Sequence, residues 1–247
     1  MKKNLKIFVY LFFFSLFSGI FSSPVTAEDR KASEILEKAI NIIAPKIFLA
    51  EIEMTYLRSD GSQAKYKMIL KHKNYKYSLV NFLEPEREKD RQVLRIEENL
   101  WSYMPKTKKI VQVSFDSDFM GGDFSNQDIV RLNLLEDYTP ELIKETENQY
   151  ILDLSPNGKG FSYAKIRFWI RKKDNMPLQA YYFSRNGSPL KKLIYKDLKD
   201  FDGFTRPSVY EMTNLAENTK TYMIFVSFKK LETLPETTFY KENMGKY

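Results

Sequence analysis

Residues 100–128, LWSYMPKTKKIVQVSFDSDFMGGDFSNQD, join two strand-like runs to an unusual Phe119-Met120-Gly121-Gly122-Asp123-Phe124-Ser125 turn and then to a helical start at Asp128. Trp101 and Tyr103 are two residues apart, so they share one face of an extended segment. Gly121-Gly122 allows a tight reversal that bulkier residues resist. No nucleophile, base or metal-ligand set sits in this stretch.

In the flanking sequence Ala32, Ile35, Leu36, Ala39, Ile40 and Ile43 recur at helical spacing and Pro45 limits the far end, so a helix is predicted there. From Lys46 the period changes to two. Tyr66, Met68 and Leu70 alternate with lysines, as do Ile166, Phe168 and Ile170 with Lys165, Arg167 and Arg171, and Tyr222, Ile224, Val226 and Phe228 extend the pattern near the end. Turn signals at Asp60-Gly61, Asn74, Pro156-Asn157-Gly158, Asn175-Met176-Pro177, Asn186-Gly187 and Asp202-Gly203 separate these runs. Short connections favour antiparallel neighbours. The expected fold is therefore mainly β, α+β by content: an antiparallel meander of about eight to eleven strands, with a second helix over 125–134. Twist makes so large a sheet curl into an open half-barrel, whose concave face would be apolar and covered by short helices. The same alternation also describes a sandwich filled by its own side chains.

The chain start reads as an export signal: Lys2, Lys3 and Lys6, an apolar stretch Ile7–Phe21 of about 15 residues, and a small-residue exit at Val25-Thr26-Ala27. Residues 1–27 are expected to be a signal peptide and 28–247 a single domain, with an exported, periplasmic and soluble product. A membrane-crossing helix needs roughly 20 apolar residues. The sequence contains no cysteine, which excludes a lipoprotein anchor and disulfides. Its formal charge of +7 is spread among 29% charged residues, with basic and acidic side chains interleaved, so no nucleic-acid partner is expected.

The inventory for catalysis is poor. Cysteine chemistry is excluded, and His72, the single histidine, falls in Leu70-Lys71-His72-Lys73-Asn74, where it reads as a partly exposed strand end. Gly121-Gly122 lacks the Lys-Ser/Thr ending of a phosphate loop. Asp116, Asp118, Asp123 and Asp128 lack the spacing and terminal Glu of a calcium loop. The sequence is read as that of a non-enzyme without metal or cofactor.

The motifs resemble those of the LolA-like outer-membrane lipoprotein-sorting family. That family has a tryptophan and an aromatic-x-Pro strand end, here Trp101 and Tyr103-Met104-Pro105, before a Phe-Met-Gly-Ser-Asp-Phe-Ser segment, here Phe119–Ser125, and an acidic helix start, here Asp128. Met54–Gly61 resembles its first hairpin, Phe82-Leu83-Glu84-Pro85 a later strand end, and Leu234-Pro235-Glu236-Thr237-Thr238-Phe239 its closing segment. Two positions depart from the pattern: Glu88-Lys89-Asp90-Arg91-Gln92 replaces a Lys-Gly-Thr approach, and Gly122 stands where serine is usual. The resemblance implies an open barrel with lid helices. It further implies a carrier or chaperone shielding acyl chains of a lipoprotein or other lipid, monomeric, served by an inner-membrane transporter as donor and an outer-membrane acceptor.

On that reading the candidate ligand-binding residues, in cavity or lid, are Trp101, Tyr103, Phe119, Met120, Phe124, Ile129 and Leu132. Phe119, Met120 and Phe124 form either a movable lid or static core. Trp101 and Tyr103 line the cavity or pack on the Ala32–Ile43 helix. Tyr163, Trp169 and Tyr182 carry no assignment. Two rival readings share the export signal and alternation: a secreted sheet protein binding a polypeptide or cell-surface partner, and an integral outer-membrane barrel. Pro235 and the absence of a closing strand after Leu231 oppose the latter.

Overall fold

The first apolar stripe forms α1 (Ala27–Ile43) in the computed structural model, which describes residues 27–158 and 160–246. Ala32, Ile35, Leu36, Ala39 and Ile40 are its buried side, and Glu28 and Asp29 lie in the first turn, where the helix dipole favours negative charge. The export signal expected over 1–27 lies outside the described residues except for Ala27.

After α1 the chain runs outward through six strands: β1 (Ile47–Leu57), β2 (Gln63–Lys73), β3 (Tyr77–Glu84), β4 (Gln92–Ile96), β5 (Asn99–Met104) and β6 (Lys109–Gln112). Residues 113–137 then cross to the far edge. Seven strands return: β7 (Tyr138–Glu145), β8 (Gln149–Pro156), β9 (Lys165–Arg171), β10 (Pro177–Phe183), β11 (Pro189–Phe201), β12 (Phe204–Asn214) and β13 (Thr219–Lys230), which pairs with β1. The result is one antiparallel sheet of 13 strands in the order 6-5-4-3-2-1-13-12-11-10-9-8-7. Thirteen exceeds the eight to eleven expected because β4, β5 and β6 are only 5, 6 and 4 residues long, and β6 is exposed throughout with no period to read.

Laid flat, such a sheet would be roughly 58 Å wide at about 4.8 Å per strand. Twist instead curls it into an open half-barrel, with β6 and β7 left as unpaired edges. Its apolar concave face carries the main core, including Phe48, Ile52, Met54, Met68, Phe82, Leu152, Phe168 and Met212. The alternation is visible in β9, where Ile166, Phe168 and Ile170 are buried and their neighbours are not. Short helices cover this face, α1 packing on β7.

The second expected helix is two. Residues Asn126–Val130 form α2, Arg131 leaves helical geometry at φ −102°, ψ 89°, and Leu134–Asp137 form α3. Ser125 and Asp128 build a reciprocal capping box at the start of α2. The Asn133 side chain accepts from Leu135 N–H at 3.2 Å and so restarts the helix, a local competition with the backbone characteristic of asparagine.

Beyond β13 the chain lies on the outer face. Phe239 and Met244 pack there with Leu79 and Leu94, forming a second, smaller core. Gly245 is required at its position: φ is +74°, and a Cβ would stand 2.3 Å from the Tyr103 ring.

His72 is not a partly exposed strand end. It continues the Tyr66-Met68-Leu70 parity of β2 and is fully buried, 5.1 Å from the Phe48 ring and 5.6 Å from Tyr75. Ser78 Oγ donates its one proton to Val130 O at 3.0 Å, so it accepts from His72 Nδ1–H at 2.9 Å, which leaves buried Nε2 without a partner. Burial, and next the charge of Arg95, hold the imidazole down to about 3. The folded pKa lies below the ordinary 6.5, so the unfolded chain binds the proton first. Stability is full above pH 6.5 and falls as pH drops towards 3, by at most about 1.4 kcal/mol per unit. Urea unfolding at pH 7.5, 6.0 and 5.0 should show this slope, and His72→Phe, which keeps a ring beside Phe48, should remove its one-proton component.

Candidate functional site

Segment 113–137 does not simply span the half-barrel; it is tied down at three places. At one end Asp123 accepts from the hydroxyls of Thr219 and Thr221 on β13, and its own N–H donates to Thr221 Oγ1 at 2.9 Å. In the middle Val130 O accepts from Ser78 Oγ and, at 3.1 Å, from Arg95 Nη1. Arg95 is itself buried and also donates to Tyr75 O and Glu97 O, so its charge is met by carbonyl dipoles rather than by a carboxylate; burial lowers its pKa, with the Arg131 charge adding to the effect.

The third tie is Arg131. Its guanidinium reaches Glu98 at 2.8 Å, in the turn between β4 and β5, and Asp137 at 2.7 Å, at the entrance to β7. These belong to opposite halves of the sheet. Rings of Phe115 and Phe161 flank it at 5.0 and 5.2 Å. Arg131 thus links the β4–β5 turn of one half of the sheet to the start of β7 at the edge of the other.

Between this segment and the concave face lies an apolar hollow. Ile43, Ile129, Leu132 and Leu134 form its helical side, and Phe48, Leu70, Tyr182, Tyr195, Tyr210 and Phe225 its sheet side. The space open to water centres is about 80 Å³, whereas the whole empty volume within its walls, mouth included, is about 760 Å³. Its charged and amide side chains are Gln127, Asp128 and Arg131, and Tyr182, Tyr195 and Tyr210 add hydroxyls. Burial raises the pKa of Asp128; its carboxylate accepts from Ser125 N–H and from Tyr163 O–H, both at 2.8 Å.

The seven candidate residues separate into three groups. Phe124, Ile129 and Leu132 line the hollow. Phe119 is buried beside it, stacked on Phe82 at 5.7 Å, and Met120 is half-buried at φ +57° with its carbonyl accepting from Tyr66 Oη at 3.3 Å. Trp101 and Tyr103 point to the outer face and pack with the C-terminal cluster, because Leu100 and Ser102 hold the inward positions of β5. Lys241 Nζ lies 4.9 Å over the Trp101 ring. Of the unassigned aromatics, Tyr182 lines the hollow, Tyr163 holds Asp128, and Trp169 packs against Tyr181 at 5.5 Å. Arg95 and Arg131 went unrecognised. Strand parity with buried Val93 marks Arg95 as inward-facing, whereas nothing local marks Arg131. The four aspartates weighed as calcium ligands are used separately: Asp116 with Ser162, Asp118 in a backbone bridge to Ser125, Asp123 on β13 and Asp128 in its cap.

Comparison with known proteins agrees with this architecture. A family model described only as "Uncharacterized protein" matches residues 74–246. A LolA superfamily protein from Nitrosomonas europaea superposes with a TM-score of 0.77 at 26% identity, over 85% of this chain and 98% of its own. The chain belongs to the family of the matching model, and it is LolA-like in fold. Two further structures share the fold with the same TM-score of 0.77. One is a domain assigned to outer-membrane lipoprotein sorting in Vibrio parahaemolyticus, at 22% identity over 87% of this chain and 99% of its own. The other is a DUF1329 family protein from Desulfovibrio piger, at 21% identity over 89% and 100%. No curated protein matches the chain.

The clasp has a measurable asymmetry. Arg131 and Asp137 are 9% and 7% exposed, Glu98 70%. Replacing Arg131 with Met strands a buried carboxylate and should lower unfolding stability by about 3 kcal/mol. Glu98→Gln should cost less than about 1 kcal/mol. Urea denaturation at neutral pH compares the two.

Proposed function

We propose that this LolA-like protein is a periplasmic carrier that shields acyl chains of a lipoprotein or other lipid in transit towards the outer membrane. The observation that carries the reading is the apolar hollow between the concave face and a crossing segment that packs Phe119, Phe124, Ile129 and Val130 against that face and is tied by a few hydrogen bonds and one ion-pair clasp. Hollows of this kind, apolar with a few polar groups at one side, are the usual form of small-ligand sites. The lipoprotein-sorting assignment of the Vibrio relative supports the choice of cargo. In this reading residues 1–27 are the export signal and 28–247 the cargo-binding domain. It acts as a monomer between an inner-membrane donor and an outer-membrane acceptor, and its activity is binding, not catalysis.

The volumes suit a carrier that opens. With a methylene taken as about the size of a liquid water molecule, roughly 30 Å³, an acyl chain of fifteen carbons needs on the order of 450 Å³. The whole empty space of the hollow, about 760 Å³ with its mouth included, is larger than that, while little of it is wide enough for a whole water molecule to move in, so an acyl chain enters by pushing wall side chains aside. Burying such a chain is worth on the order of 12 kcal/mol before ordering costs, enough to trap cargo unless opening opposes it. Displacing Phe124, Ile129 and Leu132 together with the Val130 and Arg131 ties supplies that opposition, so a loaded protein stores the cost of opening and releases it at handover. Trp101 and Tyr103, packed on the outer face beneath the C-terminal segment, have no part in the cavity on this reading.

The rival reading, a polypeptide binder, draws on β6, an exposed edge whose Ile110 and Val111 are open to solvent. An integral barrel does not fit: the sheet has two unpaired edges, which a hydrocarbon core does not tolerate.

Native mass spectrometry of the protein taken from its own envelope without detergent, followed by organic extraction, tests the proposal. A stoichiometric acylated ligand is expected; an empty protein that also refuses a fluorescent fatty acid would shift the balance to the polypeptide binder. The movement itself is tested by a staple. A Cβ on Gly122 would lie 3.1 Å from Thr221 Oγ1, close to the spacing across a disulfide, and the chain has no other cysteine. The Gly122→Cys/Thr221→Cys protein should take up lipid when reduced and lose most uptake when oxidised. Equal uptake in both states would remove this turn from the opening movement.

A further inference from the structure

Arg206 of β12 has no part in the ties described above, yet it is the largest of the fully buried side chains. Its Nε donates to Pro207 O at 3.3 Å and its Nη2 to Tyr210 Oη at 2.5 Å, while buried Nη1 has no partner. Among the described residues the groups that favour its charge are tyrosines, and no carboxylate is one of them. The rings of Phe225 and Phe228 each stand 4.0 Å from the guanidinium carbon, with Tyr210 at 5.6 Å.

Aromatic faces answer part of the cost of burying this cation. Compared with an oxygen they are weak acceptors for the Nη1 hydrogens, and a buried ion that is only partly compensated is costly. A leucine or methionine would fill the same aromatic box without that cost. Arginine at this place therefore points to a negative partner from outside the chain. Two of the side chains that hold it, Tyr210 and Phe225, are also walls of the apolar hollow. The guanidinium is thus one side chain away from the space proposed for acyl chains. Tyr210 accepts from Arg206, so its own O–H remains free to donate.

We propose that Arg206 and Tyr210 form the head-group end of a site for a single-chain amphiphile with an acidic head, a long-chain fatty acid, whose carboxylate accepts from Nη1–H and from the Tyr210 hydroxyl while its chain lies in the hollow. The inference rests on the acyl-binding reading above and names the class of ligand. A planar carboxylate matches two converging donors, whereas a phosphate would press its remaining charged oxygens against Phe225 and Phe228. Because the two rings enclose the guanidinium, binding requires Phe225 to turn aside.

The test compares oleate, oleyl phosphate and oleyl alcohol, each titrated into the delipidated full-length mature protein. Oleate is expected to bind at least tenfold more tightly than oleyl alcohol, and Arg206→Met to erase that preference while alcohol binding stays within about twofold. Tighter binding of oleyl phosphate than of oleate would overturn the carboxylate assignment. Equal binding of all three, or a preference that survives in Arg206→Met, would overturn the site while leaving the acyl cavity standing; binding of none would sink both. Should Arg206→Met not fold, the wild-type protein crystallised with 2-bromopalmitate decides the matter. The chain has no cysteine for this reagent to alkylate, and the bromine, next to the carboxylate, should appear beside Arg206 and Tyr210. Bromine elsewhere in the hollow would overturn the proposal.

Discussion

An antiparallel sheet that curls without closing has two unpaired edges and an apolar concave face, and one connection has to answer for all three. Segment 113–137 runs from the edge strand β6 to the opposite edge strand β7 and lies over the face between them. Its polar anchors are placed accordingly: Asp123 on the middle strand β13, Val130 O on β3 and β4 through Ser78 and Arg95, and Arg131 on both halves. A closed barrel would replace that work by backbone pairing. The open one leaves room beneath the crossing segment, so the same decision that leaves edges unpaired also creates the hollow.

The ties differ in kind, which affects how they yield. Arg95 and Ser78 converge on one carbonyl, Val130 O, from buried positions. Breaking that node leaves a guanidinium and a hydroxyl in a water-poor place, a cost of roughly 1–3 kcal/mol for each unsatisfied group. Arg131 keeps Glu98 in solvent, where water readily replaces the lost partner. The crossing segment is therefore held firmly on the β3–β4 side, and within the clasp the exposed Glu98 arm yields before the buried Asp137 arm.

Much of this was legible in the sequence because alternation is a local property. The β2 and β9 runs, the α1 stripe and the capping box at Ser125–Asp128 follow from residues a few positions apart. In β13 the strand was legible but its face was not: of the run Tyr222, Ile224, Val226 and Phe228, Ile224 and Val226 are exposed and the inward side is Thr221, Met223 and Phe225, with Phe228 returned to it by a register shift opposite Glu51 and Ile52. The face of a short strand was harder. Trp101 and Tyr103 share a face, but β5 alone does not say which; Leu100 and Ser102 took the inside, and the C-terminal Phe239 and Met244 came from more than a hundred residues away to cover the other side. His72 was misread because its lysine neighbours suggested solvent, whereas parity with Leu70 places it inward. The walls supplied by β10 to β13, with Tyr182, Tyr195, Tyr210 and Phe225, meet α2 only through curvature, which no local pattern records. Arg131 breaks a helix that its neighbours would have continued, for the sake of partners at 98 and 137.

The pairing of β1 with β13 has a kinetic side. Each half of the chain, β1 to β6 and β7 to β13, is a meander of neighbouring hairpins whose contacts are close in sequence. The seam between the halves is not: Ala50 sits opposite Phe228. Contacts so distant form late because the chain between them must first be gathered in. As the polypeptide emerges from its N-terminal end, the inner edge of β1 waits with its backbone groups unpaired until the last strand arrives. During that interval the nascent half-sheet is a template for any extended chain nearby, including another copy of itself, and its folding yield should depend on how quickly β13 reaches the seam.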